Sequence, residues 1–128
     1  MTSDLATGIN QAIAAHSDFR ERLVSAIAAG QSSLTVERVC QDNQCTLGRW
    51  LYTMDGSTQA TPRWQCVRTV HAEFHQEAAR VLEFALAGKA RDARSAIAYS
   101  SAYTGLSRRL TTELEAWKNE AVRMILTA

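Results

Sequence analysis

The chain has 128 residues, 46% of them hydrophobic, and its 14 lysines and arginines against 13 aspartates and glutamates leave a formal charge of +1. That is the size of one domain able to fill a core, so a single domain over residues 1–128 is expected, and the charge balance excludes the basic footprint of a nucleic-acid binder. No apolar run approaches the roughly 20 residues of a membrane span and Met1–Asp4 lacks the start of an export signal, so the expectation is a cytoplasmic protein off the membrane whose three cysteines are free or metal-bound.

The first segment places Leu5, Ile9, Ala12, His16, Phe19, Leu23 and Ile27 at steps of three or four, one stripe of a helix that starts near Ser3 and ends at Gly30. His16 falls in the middle of that apolar stripe. Residues 31–60 are less regular: Cys45 to Tyr52 reads as a short helix, Asp55-Gly56-Ser57 signals a turn, and this stretch is expected to be the most mobile. A second long helix is capped by Thr61, takes Pro62 in its first position and stops at Gly88. Its stripe is Trp64, Val67, His71, Phe74, Ala78, Val81 or Leu82, and Ala85, with His75 one turn past His71. A last helix is expected from about Arg91 to the C-terminus, burying Ile97, Leu106, Leu110, Leu114, Trp117, Ala121 and Met124 or Ile125, with Gly105 as its soft point. One proline and six glycines favour helix over sheet. The fold class is therefore all-α, an antiparallel helical bundle of about four helices with a short irregular helical segment.

Three histidines on apolar faces need partners, because a buried imidazole nitrogen left unpaired costs free energy. Each can bond a neighbouring side chain or carbonyl, which is the plain reading for any one of them. For the three together that reading weakens. His71 and His75, four residues apart, stack on adjacent turns of one face where both can reach the same ion. With a third imidazole on another helix and a thiol in the irregular segment, the donors number four, the shell of a closed tetrahedral zinc site.

The string Cys45-Thr46-Leu47-Gly48-Arg49-Trp50 carries the most specific pattern. Preceded by His-x-x-Phe at His16 to Phe19 and followed by His-x-x-Phe-His at His71 to His75, this Cys-x-Leu-Gly-x-Trp string resembles the chemoreceptor zinc-binding domain family. The likeness runs from about Ile9 to Trp117. It departs mildly at Phe19, where tryptophan is frequent in the family. The resemblance implies that His16, Cys45, His71 and His75 ligate one zinc ion. It further implies a homodimer, and a regulatory role toward the output domain or protein of bacterial signalling systems, a diguanylate cyclase or a chemoreceptor. Some members are thought to sense hypochlorous acid through the ligand cysteine, others zinc itself. A zinc-bound cysteine is a thiolate, the oxidant-reactive form, and zinc competes with protons for imidazole, so oxidation, zinc loss and acid all converge on the same site.

Other residues are read more plainly. Cys40 and Cys66 are bystanders: Cys40 could pair with Cys45 on oxidation, while Cys66 lies about 140° around the helix from His71. Trp50, Trp64 and Trp117 could form a core cluster or a dimer surface, with burial in the core the expectation for most of their area. An enzyme is not expected, since helical zinc hydrolases carry glutamate directly after the first histidine, where this chain has Ala72, and Glu73 points about 200° away. A fourth protein ligand also closes the position a substrate would need. Two alternatives are a zinc-stapled bundle that mediates dimerisation without sensing, and a metal-free bundle.

Overall fold

The computed structural model of the chain describes residues 2–127, with side chains described from residue 5 to residue 123. The expected burial of Met124 or Ile125 lies outside the described side chains. Every regular element is helical: α1 (Thr2–Ala29), α2 (Val36–Val39), α3 (Thr46–Tyr52), α4 (Gly56–Gln59), α5 (Pro62–Leu86), α6 (Ala90–Ala96) and α7 (Ala102–Thr127). No strand occurs among the described residues. None of the described helices is long and apolar enough to cross a membrane.

Local chemistry sets the boundaries. The Thr61 hydroxyl accepts the Trp64 amide at 3.3 Å and Pro62 occupies the first turn of α5, satisfying one orphan donor and removing another. At the other end Gly88 takes φ 75°, which lets the Lys89 amide reach the Phe84 carbonyl at 2.9 Å and the Gly88 amide reach Ala85 at 3.2 Å. The irregular stretch between Gln31 and Ala60 builds three short helices, α2, α3 and α4. Each starts at a side-chain cap, from Thr35, Cys45 and Asp55 respectively.

The last helix differs from expectation. In place of one helix from Arg91 there are two, α6 and α7, separated at residues 97–101. The break is a capping event and not a weakness at Gly105: the Ser101 hydroxyl accepts the Thr104 amide at 3.2 Å and donates to the Ala98 carbonyl at 2.6 Å, so it starts a new helix. The Arg20 guanidinium of α1 seals the gap, donating to the Ile97 carbonyl at 3.0 Å.

The long helices α1, α5 and α7 form the body. Lys118 of α7 meets Asn10 of α1, while Thr104 meets Arg20, so α1 and α7 are antiparallel. Arg63 at the start of α5 pairs with Glu113 and Glu120, and Phe74 packs on Tyr103, so α5 and α7 are antiparallel too. Helices α1 and α5 consequently share a direction, and residues 31–60 return the chain along the bundle between them. Ile9 and Leu23 from α1, Val67 and Phe74 from α5, and Leu110 and Leu114 from α7 are all at most 1% exposed. Burial of each such side chain contributes about 1.5–3 kcal/mol.

Trp50 fastens α3 to this body. Its ring lies on α1 at Gly8, where a Cβ would stand 2.6 Å from Cζ2, and its centroid is 5.9 Å from that of Trp117. The Trp64 indole donates to the Leu51 carbonyl at 3.1 Å, tying α3 to α5. These contacts fix the residue just ahead of α3, which is Cys45.

Candidate metal centre

His16 projects from the middle of α1, His71 and His75 from successive turns of α5, and Cys45 caps α3. One donor atom from each of the four lies within 4.8 Å of the donors of the other three. His71 Nε2 stands 3.2 Å from Cys45 Sγ and 2.9 Å from His75 Nε2. A tetrahedral zinc shell has donor–donor edges of about 3.3–3.6 Å, from bonds of about 2.0–2.1 Å to nitrogen and about 2.3 Å to sulfur. Both of these separations fall a few tenths of an ångström short of that range and all four donors lie within 4.8 Å of one another, so side-chain adjustment of about an ångström brings them to the edges of such a shell.

Backbone carbonyls orient two of the imidazoles. His16 Nδ1 donates to the Ala12 carbonyl at 2.8 Å, and His75 Nδ1 donates to the Val39 carbonyl at 2.7 Å. A nitrogen that donates to a carbonyl carries the proton, which leaves Nε2 of each ring as a bare lone pair. His71 differs, because its Nδ1 is buried without a hydrogen-bond partner. The Cys45 sulfur accepts the Gly48 amide at 3.3 Å, an interaction that favours the thiolate. Lone pairs thus converge on a point where the chain supplies few protons to separate them, which is the situation a divalent cation relieves. The donor set, three imidazoles and one thiol, suits zinc.

The electrostatics point the same way. His71 is pushed down to about 2 and His16 to about 4, chiefly by burial, with neighbouring imidazoles adding to the effect. His75 is lowered as well, again through burial. All three rings are therefore neutral at physiological pH, the form that ligates metal. Burial raises the Cys45 thiol, against the pull of the Gly48 amide. A cation at the site reverses that preference, since a coordinating thiol loses its proton. Phe74, 5.0 Å from the His16 ring, and Phe19, 6.3 Å from the His75 ring, wall the site with apolar surface.

Gly48 is required by close approach: a Cβ there would overlap the Asp42 carbonyl oxygen. The turn that carries Cys45 toward α5 is folded back on α3 too tightly for any other residue.

Each of the four residues singled out in the sequence reaches the cluster, and the other two thiols do not. Cys40 Sγ lies 3.3 Å from the Glu37 carbonyl, and Cys66 sits beside Glu113. Glu73 is exposed on the far side of α5. The orienting carbonyls were not anticipated. Ala12 stands one turn before His16, where a helical carbonyl is always within reach, but nothing in the sequence marks Val39 as the partner of His75.

A family model described as the chemoreceptor zinc-binding domain matches residues 16–82, more than half of the chain and all four donors. No curated protein and no solved structure matches the chain. With the four-donor cluster in place and more than half of its length covered by the family model, the chain belongs to the chemoreceptor zinc-binding domain family.

Proposed function

We propose that His16, Cys45, His71 and His75 together ligate one zinc ion and that the domain uses this site as a sensor, regulating a signalling output and catalysing nothing itself. The observation that supports the reading is the convergence of four metal-competent atoms within 4.8 Å, contributed by α1, α5 and the cap of α3. Bound there, zinc ties these three elements together and holds the Cys45 sulfur as a thiolate. Four protein ligands leave no open position for a substrate, in keeping with a regulatory role.

Cys45 is the switchable member of the set. Its sulfur accepts the Gly48 amide as the cap of α3, so the same atom serves the site and the helix start. Oxidation by hypochlorous acid adds oxygen to the sulfur, giving a sulfenic acid, while chlorine leaves as chloride with the electron pair. The modified sulfur is a poorer ligand and a poorer cap, so α3 loosens from α5. Helix rearrangement of this kind is the signal passed to a second copy of the chain in a homodimer, and from there to a diguanylate cyclase or chemoreceptor output in the cytoplasm. Falling zinc releases the same tie.

A staple without sensing is the second reading, supported by the burial of His71 and His75. Elemental analysis of the purified chain beside a Cys45→Ala variant tests the site itself. About one zinc per chain, lost in the variant, is the result expected from a closed four-ligand shell; protein free of metal when prepared without chelators overturns the reading. Zinc release on titration with hypochlorous acid then marks a sensor, and retention of zinc with unmodified Cys45 marks a staple.

A further inference from the structure

A cleft of about 500 Å³ opens beside the metal centre, and its walls include both Cys45 and His75. Three guanidinium groups line it: Arg22 from α1, Arg38 from α2 and Arg49 from α3. No acidic residue does. Among the described residues, the ion pairs of the chain involve Arg63 and Arg80 and none of these three. The lining itself thus carries three positive charges and no negative one, with Asp42 the carboxylate whose charge is felt at Cys45 and His75 from outside it.

We propose that this cleft is an anion port, in which Arg22, Arg38 and Arg49 gather small carboxylate- or oxyanion-bearing reagents beside the Cys45 sulfur. Guanidinium groups bind such anions through paired N–H donors, and three of them around one concavity focus the field into it. The three arginines come from three separate helices, and those helices or their caps also carry His16 and Cys45. An anion held in the cleft therefore bridges α2 to α1 and α3, two of the three elements that the metal centre joins. The sulfur it approaches is half-buried, so the cleft governs which reagents reach it.

The inference concerns the route to the sulfur and stands whether or not the four donors hold zinc. The test measures Cys45 modification by two disulfide reagents, the dianionic dithiobis(nitrobenzoate) and the uncharged dithiodipyridine. It uses the full chain, as purified, in a Cys40→Ser, Cys66→Ser background that leaves one thiol. The Cys45 thiolate attacks the reagent's S–S bond, a mixed disulfide forms, and an aryl thiolate departs with the electron pair and is read by absorbance. Both reagents meet the same sulfur in the same metal state, so the ratio of their rates isolates charge from zinc content.

Replacing all three arginines by glutamine is expected to lower the anionic-to-uncharged ratio about tenfold or more. Raising salt from about 0.05 M to about 0.5 M should lower the ratio in the parent and leave it nearly flat in the variant. Lysine in the same three places keeps the charge and should keep most of the preference. A ratio that stays within about twofold after both the substitution and the salt increase overturns the proposal. Helical circular dichroism checks folding; if the triple variant does not fold, Arg49→Gln alone and the salt series on the parent decide the matter by the same criterion.

Discussion

His71 Nε2 and His75 Nε2 face each other across 2.9 Å on adjacent turns of α5, and the proton that His75 donates from Nδ1 goes to the Val39 carbonyl. The His75 nitrogen on the inner side is therefore an acceptor, and His71 Nε2 is pressed against it and against the Cys45 sulfur at once. The two facing nitrogens can share one proton between them, and they can equally both turn lone pairs to one cation, since His75 keeps its own proton on Nδ1.

Zinc should stabilise the fold through all four donors. At free zinc about a thousandfold above the dissociation constant the gain is about 4 kcal/mol, which raises the melting temperature by roughly ten degrees or more in a domain of this size. His16→Ala, Cys45→Ala and His71→Ala are expected to abolish most of that rise, while Cys66→Ala, beside Glu113 and away from the cluster, should retain it. Thermal unfolding with zinc and with a chelator measures the difference. An equal rise in the Cys45 and Cys66 variants would contradict the ligand assignment.

Two glycines should respond in opposite directions to alanine. At Gly48 the added Cβ meets the Asp42 backbone carbonyl, which cannot swing aside as a side chain would, so Gly48→Ala should cost about 1–3 kcal/mol. It should weaken zinc binding as well, because the displaced turn carries Cys45. Gly105 lies exposed inside α7 with open space where a Cβ would go, so Gly105→Ala should stabilise by about 0.5–1 kcal/mol. Urea midpoints of the two variants give the comparison, and loss of stability at Gly105 would show that the helix start needs its glycine.

The difference between those glycines reflects what was legible in the sequence. Periodicity placed His16 and His71 on core faces because a buried stripe must repeat with the helix, and Thr61-Pro62 and Gly88 marked the bounds of α5 because orphan amides and carbonyls need those residue types. The break before α7 was missed because its cause is a serine within Tyr99-Ser100-Ser101, whose capping role depends on the Ala98 carbonyl lying nearby. Glycine weakens a helix interior, yet α7 runs through Gly105 because packing on either side of it holds the helix. Long-range bonds left no periodic trace at all: Arg20 reaches Ile97 across 77 positions, and Val39 reaches His75 across 36.

Tyr103 is buried completely and its hydroxyl has no hydrogen-bond partner. Burial raises the phenol to about 12, so it stays neutral. The ring earns its place by packing 5.1 Å from Phe74, which in turn lies against His16. Tyr103→Phe keeps that packing and removes the unpaired group, so stability should hold or rise by about 1 kcal/mol. Tyr103→Leu should instead lower it and disturb His16. A marked loss in the phenylalanine variant, read from chemical denaturation, would reveal a partner for the hydroxyl.

The metal-free chain should unfold more readily as pH falls below neutrality, and the sign follows from the histidines. In the unfolded chain each takes up a proton near its ordinary value of 6.5, whereas in the fold His16 resists until about 4 and His71 until about 2, with His75 lowered too. Above pH 6.5 both states are neutral and the stabilising difference is fully present. Below it the unfolded chain binds protons that the folded chain refuses, so stability drains away as pH falls toward the lowered values. Each such histidine contributes a slope approaching about 1.4 kcal/mol per pH unit in that window. Urea titrations in chelator at about pH 7.5, 6 and 5 should show midpoints declining steadily, and His16→Gln should flatten the decline by removing one proton from the count. A midpoint that stays constant across the range would mean that the folded imidazoles titrate as freely as those of the unfolded chain, contrary to their burial.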